Sequence, residues 1–104
     1  MHVMKKKYVH EVTLPAEQDM QSVFDYIAFT LLNPDAAINL AINFDTSFED
    51  ATKFPHRFPT CEHNPEYRKI FVGSYVALFR IDEDAAKIYI TRVFYGGMEY
   101  ARYL

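Results

Sequence analysis

A small α+β fold, ordered β-α-α-β-β-β with a helical hairpin packed on one face of an antiparallel sheet, is predicted by three features of this 104-residue sequence. A strand-like start is followed by two apolar stripes at helical spacing, broken by Asn33-Pro34. After a proline-rich stretch come three segments of β-branched and aromatic residues separated by turn residues. Two amphipathic helices and a short meander bury their apolar sides most simply by stacking as two layers. The length fits one domain over 1–104, with a core feasible without disulfides.

The first strand is read in "KKKYVHEVTL", where apolar and polar residues interleave. Thr13 to Pro15 open a helix of about four to five turns, proline being tolerated in a first turn. Its stripe is Ala16, Met20, Val23, Phe24, Ile27 and Leu31. Asn33 is placed to cap the second helix, with Pro34 at its first position and Asp35 near its positive end. Ala37, Ile38, Ala41, Phe44 and Phe48 form the second stripe, which ends before Phe54-Pro55. The short connection makes the two helices an antiparallel hairpin. Phe54 to Pro65 holds three prolines and reads as a loop. The strands "YRKIFV", "SYVALFRI" and "KIYITRVFY" follow, joined by turns at Gly73-Ser74 and Asp82 to Ala86.

Alternation along a strand sends successive side chains to opposite faces. We assign the aromatic-rich sets, Tyr67, Lys69 and Phe71 with Tyr75, Ala77, Phe79 and Ile81, to the face under the helices. The far face then carries Ile70, Val72, Val76 and Leu78, flanked by Arg68 and Arg80. A water-facing sheet is normally polar, so this aliphatic set is expected either to be covered by the C-terminal residues or to receive a partner.

Half the residues are hydrophobic and Cys61 is the only cysteine, so no internal disulfide can form. No apolar run reaches membrane-spanning length and no signal-peptide core develops, which makes the cytoplasm the expected location. The net charge of −3 does not suit indiscriminate nucleic-acid binding. Pro15 to Thr52 contains seven acids and no Lys or Arg, while the chain from Tyr67 onward is mildly basic. The loop "HRFPTCEH" gathers His56, Cys61, Glu62 and His63 but lacks a paired C-x2-C spacing, and so reads as solvated chain rather than a metal site. No cofactor-binding motif is present; Gly96-Gly97 opens no helix and is no phosphate loop.

Taken in order, "LPAEQDMQSVFDYIAFTLLNPDAA", "YRKIFVGSYVALFRID" and "ITRVFYGG" resemble the RelE/ParE family of bacterial toxins, from about Tyr8 to Tyr100. The resemblance implies the same β-α-α-β-β-β fold and a type II toxin–antitoxin system. In such a system the toxin is neutralised by a cognate antitoxin and meets DNA only through it. The family divides into ParE-like members that poison DNA gyrase and RelE-like members that cut messenger RNA on the ribosome. The nucleases place several cations on the open sheet face and a tyrosine or histidine near the C-terminus. Here Arg68 fills the first basic place, whereas Ile70 and Val76 stand where further cations are expected and Met98 follows the glycine bend. As a nuclease, the chain would rely on Arg68 with Tyr95 or Tyr100. The reading favoured by the resemblance is a gyrase-directed toxin. Its antitoxin- and target-binding surface is expected at Arg68, Ile70, Val72, Val76, Leu78, Arg80 and Met98. The alternatives are the mRNA endonuclease and a binding module of the same fold without toxicity.

Overall fold

A computed structural model of the chain describes residues 7–96. Strand β1 (Val9–Val12) is followed by helix α1 (Leu14–Asp25), a wide π-helical turn over Tyr26–Thr30, and helix α2 (Pro34–Ala51). A 3-10 turn at Pro55–Arg57 leads into β2 (Tyr67–Val72), β3 (Tyr75–Asp82) and β4 (Lys87–Tyr95). The four strands form one sheet in the order β1-β4-β3-β2. The α+β architecture is the expected one.

One pairing differs from expectation. The meander β2-β3-β4 is antiparallel, but β1 lies parallel to β4, from Val9↔Lys87 to Val12↔Ile90, so the sheet is mixed. The cause is local. Thr13 alone separates β1 from α1, and both its N–H and its hydroxyl donate to the carbonyl of Ile90 at 3.0 Å. The chain therefore continues forward along β4 instead of reversing. The helical hairpin then returns it to the end where β1 began, so β2, and after two turns β4, must run in the direction of β1.

The capping expectations for α2 hold. Asn33 accepts a hydrogen bond from the Ala36 N–H at 3.1 Å, and Pro34 occupies the first turn. The core lies between the hairpin and the sheet. Ala16, Phe44, Phe48 and Ala51 meet Ile70, Val72, Ala77, Phe79, Ile88, Ile90 and Val93 there, with Met20 and Phe24 packed at its margin. The rings of Phe24 and Tyr75 each lie 6.0 Å from that of Phe44.

The expected stripes run too far toward the hairpin tip. The periodicity puts Leu31 and Ile38 on buried faces, and both are exposed. The wide turn explains Leu31: its N–H donates to the carbonyl of Tyr26, five residues back, so the helix makes an extra-wide turn and the stripe loses its phase. Ile38 follows the buried Ala37 by about 100° around α2 and faces away from the core. Leu32 then takes a left-handed conformation (φ 53°), and the Asn33 N–H closes the helix end on the carbonyl of Ile27.

Candidate functional site

Cross-strand neighbours in a ladder share a face, so the pairing decides which side each strand residue occupies. Strand β3 has the phase read from the sequence: Tyr75, Ala77 and Phe79 face the helices, while Val76, Leu78 and Arg80 face away. Strand β2 has the opposite phase. Ile70 pairs with Ala77 and Val72 with Tyr75, which puts both inside the helix-side core. Ile70 and Val72 are therefore not on the far face, and Tyr67, Lys69 and Phe71 take their place opposite Arg80, Leu78 and Val76.

Arg68 is corrected in the same way. It pairs with Phe79 on the helix side, and its Nη1 donates to the carbonyls of His56 at 2.9 Å and Phe58 at 2.7 Å. Its guanidinium ties the Phe54–Phe58 segment to β2. Tyr95 lies at the other end of β4, paired with Tyr75 and exposed. Counting four residues along and two strands across, the two backbones are about 17 Å apart. The structure does not bring Arg68 and Tyr95 together. Tyr100 and Met98 lie outside the described residues.

The expected open aliphatic patch is also corrected. Val76 and Leu78 are fully buried, packed with Cys61, Phe94 and Tyr67. The Pro59–Cys61 chain runs beside β2, where the Cys61 N–H donates to Tyr67 O and the Lys69 N–H to Pro59 O, each at 2.9 Å. Burial pushes the Cys61 thiol up, against a smaller lowering by Lys69. Among the described residues no group of three or more His, Cys, Asp or Glu side chains is arranged to hold a metal ion.

What surrounds that small second core is basic and aromatic. Lys69, Leu78 and Arg92 form one cross-strand row; Tyr67, Arg80, Tyr89 and Glu11 form the next. The Arg80 guanidinium lies 4.4 Å from the Tyr89 ring centre, and that of Arg92 lies 4.9 Å from Phe94. Arg92 also reaches round the edge of β4 to α1: its Nε and Nη2 donate to the two Asp19 carboxylate oxygens at 2.8 and 3.1 Å. The Val93 N–H donates to the same carboxylate at 2.9 Å. A shallow cleft beside this clasp is lined by Ser22, Val23, Tyr75 and Tyr95. Burial first, then neighbouring Tyr95 and Tyr26, push the Tyr75 phenol up.

Of the expected binding residues that are described, Arg80 alone is both on the far face and partly exposed. Lys69, Tyr67, Tyr89 and Arg92 were missed as members of that face. Lys69 and Tyr67 were misphased because β2 is apolar on both sides. Arg92 follows a β-bulge at Thr91, which leaves that residue unmatched between Leu78↔Arg92 and Phe79↔Ile90.

The sequence matches the family model for the ParE toxin of the type II toxin–antitoxin system parDE, over residues 11–100. The chain belongs to that family. Solved structures of similar fold include the chromosomal ParDE toxin–antitoxin system from P. aeruginosa, with a TM-score of 0.69 and 17% identity, covering 85% of this chain and 94% of that one. Another is the toxin–antitoxin complex RelBE2 from Mycobacterium tuberculosis, with a TM-score of 0.62 and 22% identity, covering 86% of this chain and 98% of that one. No curated protein sequence matches it. At these identities the structures speak for the shared ParE/RelE fold. The family match identifies a type II toxin with Asp19, Arg68 and Arg92 inside the matched region. Among the described residues no helix of this ParE-family chain is long and apolar enough to cross a membrane.

Proposed function

We propose that the protein is a ParE-type toxin that arrests growth by inhibiting DNA gyrase and is held inactive by a cognate antitoxin, all in the cytoplasm. The observation that carries this reading is the match to the ParE toxin model over nearly the whole chain. The geometry of Arg68 supports it: a guanidinium spent on two backbone carbonyls, with Tyr95 far from it, is poorly placed to serve RNA cleavage. Such cleavage needs a base for the 2′-hydroxyl, an acid for the leaving oxygen and donors for the phosphorane charge at one point. Expression without an antitoxin is expected to stop growth and switch on a DNA-damage reporter while transcripts stay intact. Growth arrest with cut transcripts and a silent reporter would reject gyrase as the target. Unimpaired growth would favour the non-toxic binding module.

The basic and aromatic rows of the far face favour a second reading. Lys69 and Arg80 beside Tyr67 and Tyr89 offer charge and stacking surfaces suited to a single-stranded RNA. In that reading the protein is a metal-free mRNA endonuclease, and Lys69→Ala should reduce cleavage in a translating extract at least tenfold. Transcripts left intact by the wild-type protein exclude it.

A further inference from the structure

Toward the hairpin tip the molecule changes character. Phe44, level with Tyr75, and Leu40, one turn earlier, are the last α2 residues packed on the core, so among the described residues the first turns of that helix and the wide turn before it extend past the sheet. In this extension Tyr26, Phe29, Leu31, Leu32 and Ile38 are all more than half exposed, Phe29 at 75% and Leu32 at 81%. Their exposed apolar area sums to on the order of 500 Å², concentrated within one short stretch of chain at the turn between the helices. Two backbone features coincide with them. The π-helical turn at Tyr26–Thr30 is a rare geometry that occurs frequently at functional sites. Leu32 holds a left-handed conformation that glycine or asparagine would adopt with less strain. An exposed leucine in a strained position stabilises nothing within the described fold.

The charge around the patch says what can cover it. From Pro15 to Thr52 the chain carries not one Lys or Arg; of its acids, Asp19 is paired with Arg92, and Asp45, Glu49 and Asp50 lie toward the base of the hairpin beside His10, Lys53 and Arg57. Asp25 and Asp35 flank the tip on its two helices. A second copy of the same tip, or an anionic lipid surface, would be repelled by these carboxylates. A helix with an apolar stripe bordered by lysines or arginines would bury the patch and meet the acids together. We propose that the tip of the helical hairpin, centred on Phe29 and Leu32, is a docking surface for a basic amphipathic helix of another protein. The assignment does not depend on gyrase being the toxin's target.

The test uses the full chain and a fluorescein-labelled helical peptide with leucine at i, i+3, i+4 and i+7 and lysine elsewhere. A second peptide carries glutamate in place of every lysine. Anisotropy titration should give saturable binding of the leucine–lysine peptide, and at least tenfold weaker binding of its glutamate counterpart. Phe29→Ser combined with Leu32→Ser changes no charge and removes no core contact, and should weaken the leucine–lysine peptide at least tenfold. Asp25→Asn with Asp35→Asn should weaken it less, and the loss should shrink at high salt. Equal binding of the two peptides, or binding unaffected by the serine variant, would overturn the proposal. So would a self-associated wild type whose dimer the serine changes dissociate, or preferential binding to phosphatidylglycerol vesicles.

Discussion

The base and the tip of the helical hairpin are equally rich in large apolar residues, yet they spend them differently. At the base Ala16, Met20, Phe24, Phe44 and Phe48 turn toward the sheet and build the core. At the tip Tyr26, Phe29, Leu31, Leu32 and Ile38 turn to solvent. Apolar content alone therefore does not tell a packing surface from a binding one. What separates them is the sheet beneath: among the described residues β3 and β4 reach no farther under the helices than Tyr75 and Tyr95.

The comparison can be broken most forcefully at Phe44, which contacts Phe24, Phe48 and Tyr75 and has no exposed surface. Phe44→Ala should cost about 3–5 kcal/mol in urea denaturation through the lost burial and the cavity left behind. Phe29→Ala at the tip should change stability by less than about 0.5 kcal/mol. Similar losses at the two positions would mean that the tip is part of the core. Next in size is the clasp that fixes α1 on β4. Asp19→Ala leaves the Arg92 guanidinium and the Val93 N–H without their shared acceptor, at a cost of about 1.5–3 kcal/mol, discounted because both side chains are partly solvated. The Arg92→Met change should cost less, because it removes one charge and keeps the apolar stem.

Smaller still is the effect at Leu32, and its sign is opposite. Leu32→Gly relieves the positive φ and should stabilise the protein by about 0.5–1 kcal/mol, seen as a higher midpoint with an unchanged slope. A stabilising change at the most exposed leucine among the described residues would sharpen the contrast, since it would show that this side chain adds nothing to the packing of the fold. The least effect is expected at Cys61. Its burial and raised pKa keep the thiolate scarce, so iodoacetamide at neutral pH should label it far more slowly in the folded than in the urea-unfolded chain.

Much of this was legible in the sequence for specific physical reasons. Asn33-Pro34-Asp35 marks a helix start by capping chemistry that depends on no distant contact, and α2 begins there. The alternation in β3 was readable because Phe79 and Tyr75 outweigh the polar Arg80 on the opposite face. In β2 the alternation decides nothing: Tyr67 and Phe71 on one side balance Ile70 and Val72 on the other, and the register with Ala77 settles it. A one-residue error in phase there transferred Arg68 to the binding face and hid Lys69. The parallel pairing of β1 with β4 depends on the one-residue junction at Thr13 and the path of the hairpin, neither of which has a periodic signature. The bulge at Thr91 and the wide turn at Tyr26–Thr30 each insert a residue that shifts every later position. For that reason the apolar stripes lose their phase where the helices leave the sheet, and the exposed residues of the tip have no periodic signature.

The central claim, a toxin that acts on gyrase, is tested most directly by ATP-driven supercoiling of a relaxed plasmid by purified gyrase. Folded protein added in increasing amounts should abolish supercoiling once it reaches a small molar excess over the enzyme. Plasmid supercoiled to the same extent at tenfold excess of correctly folded protein would contradict the account.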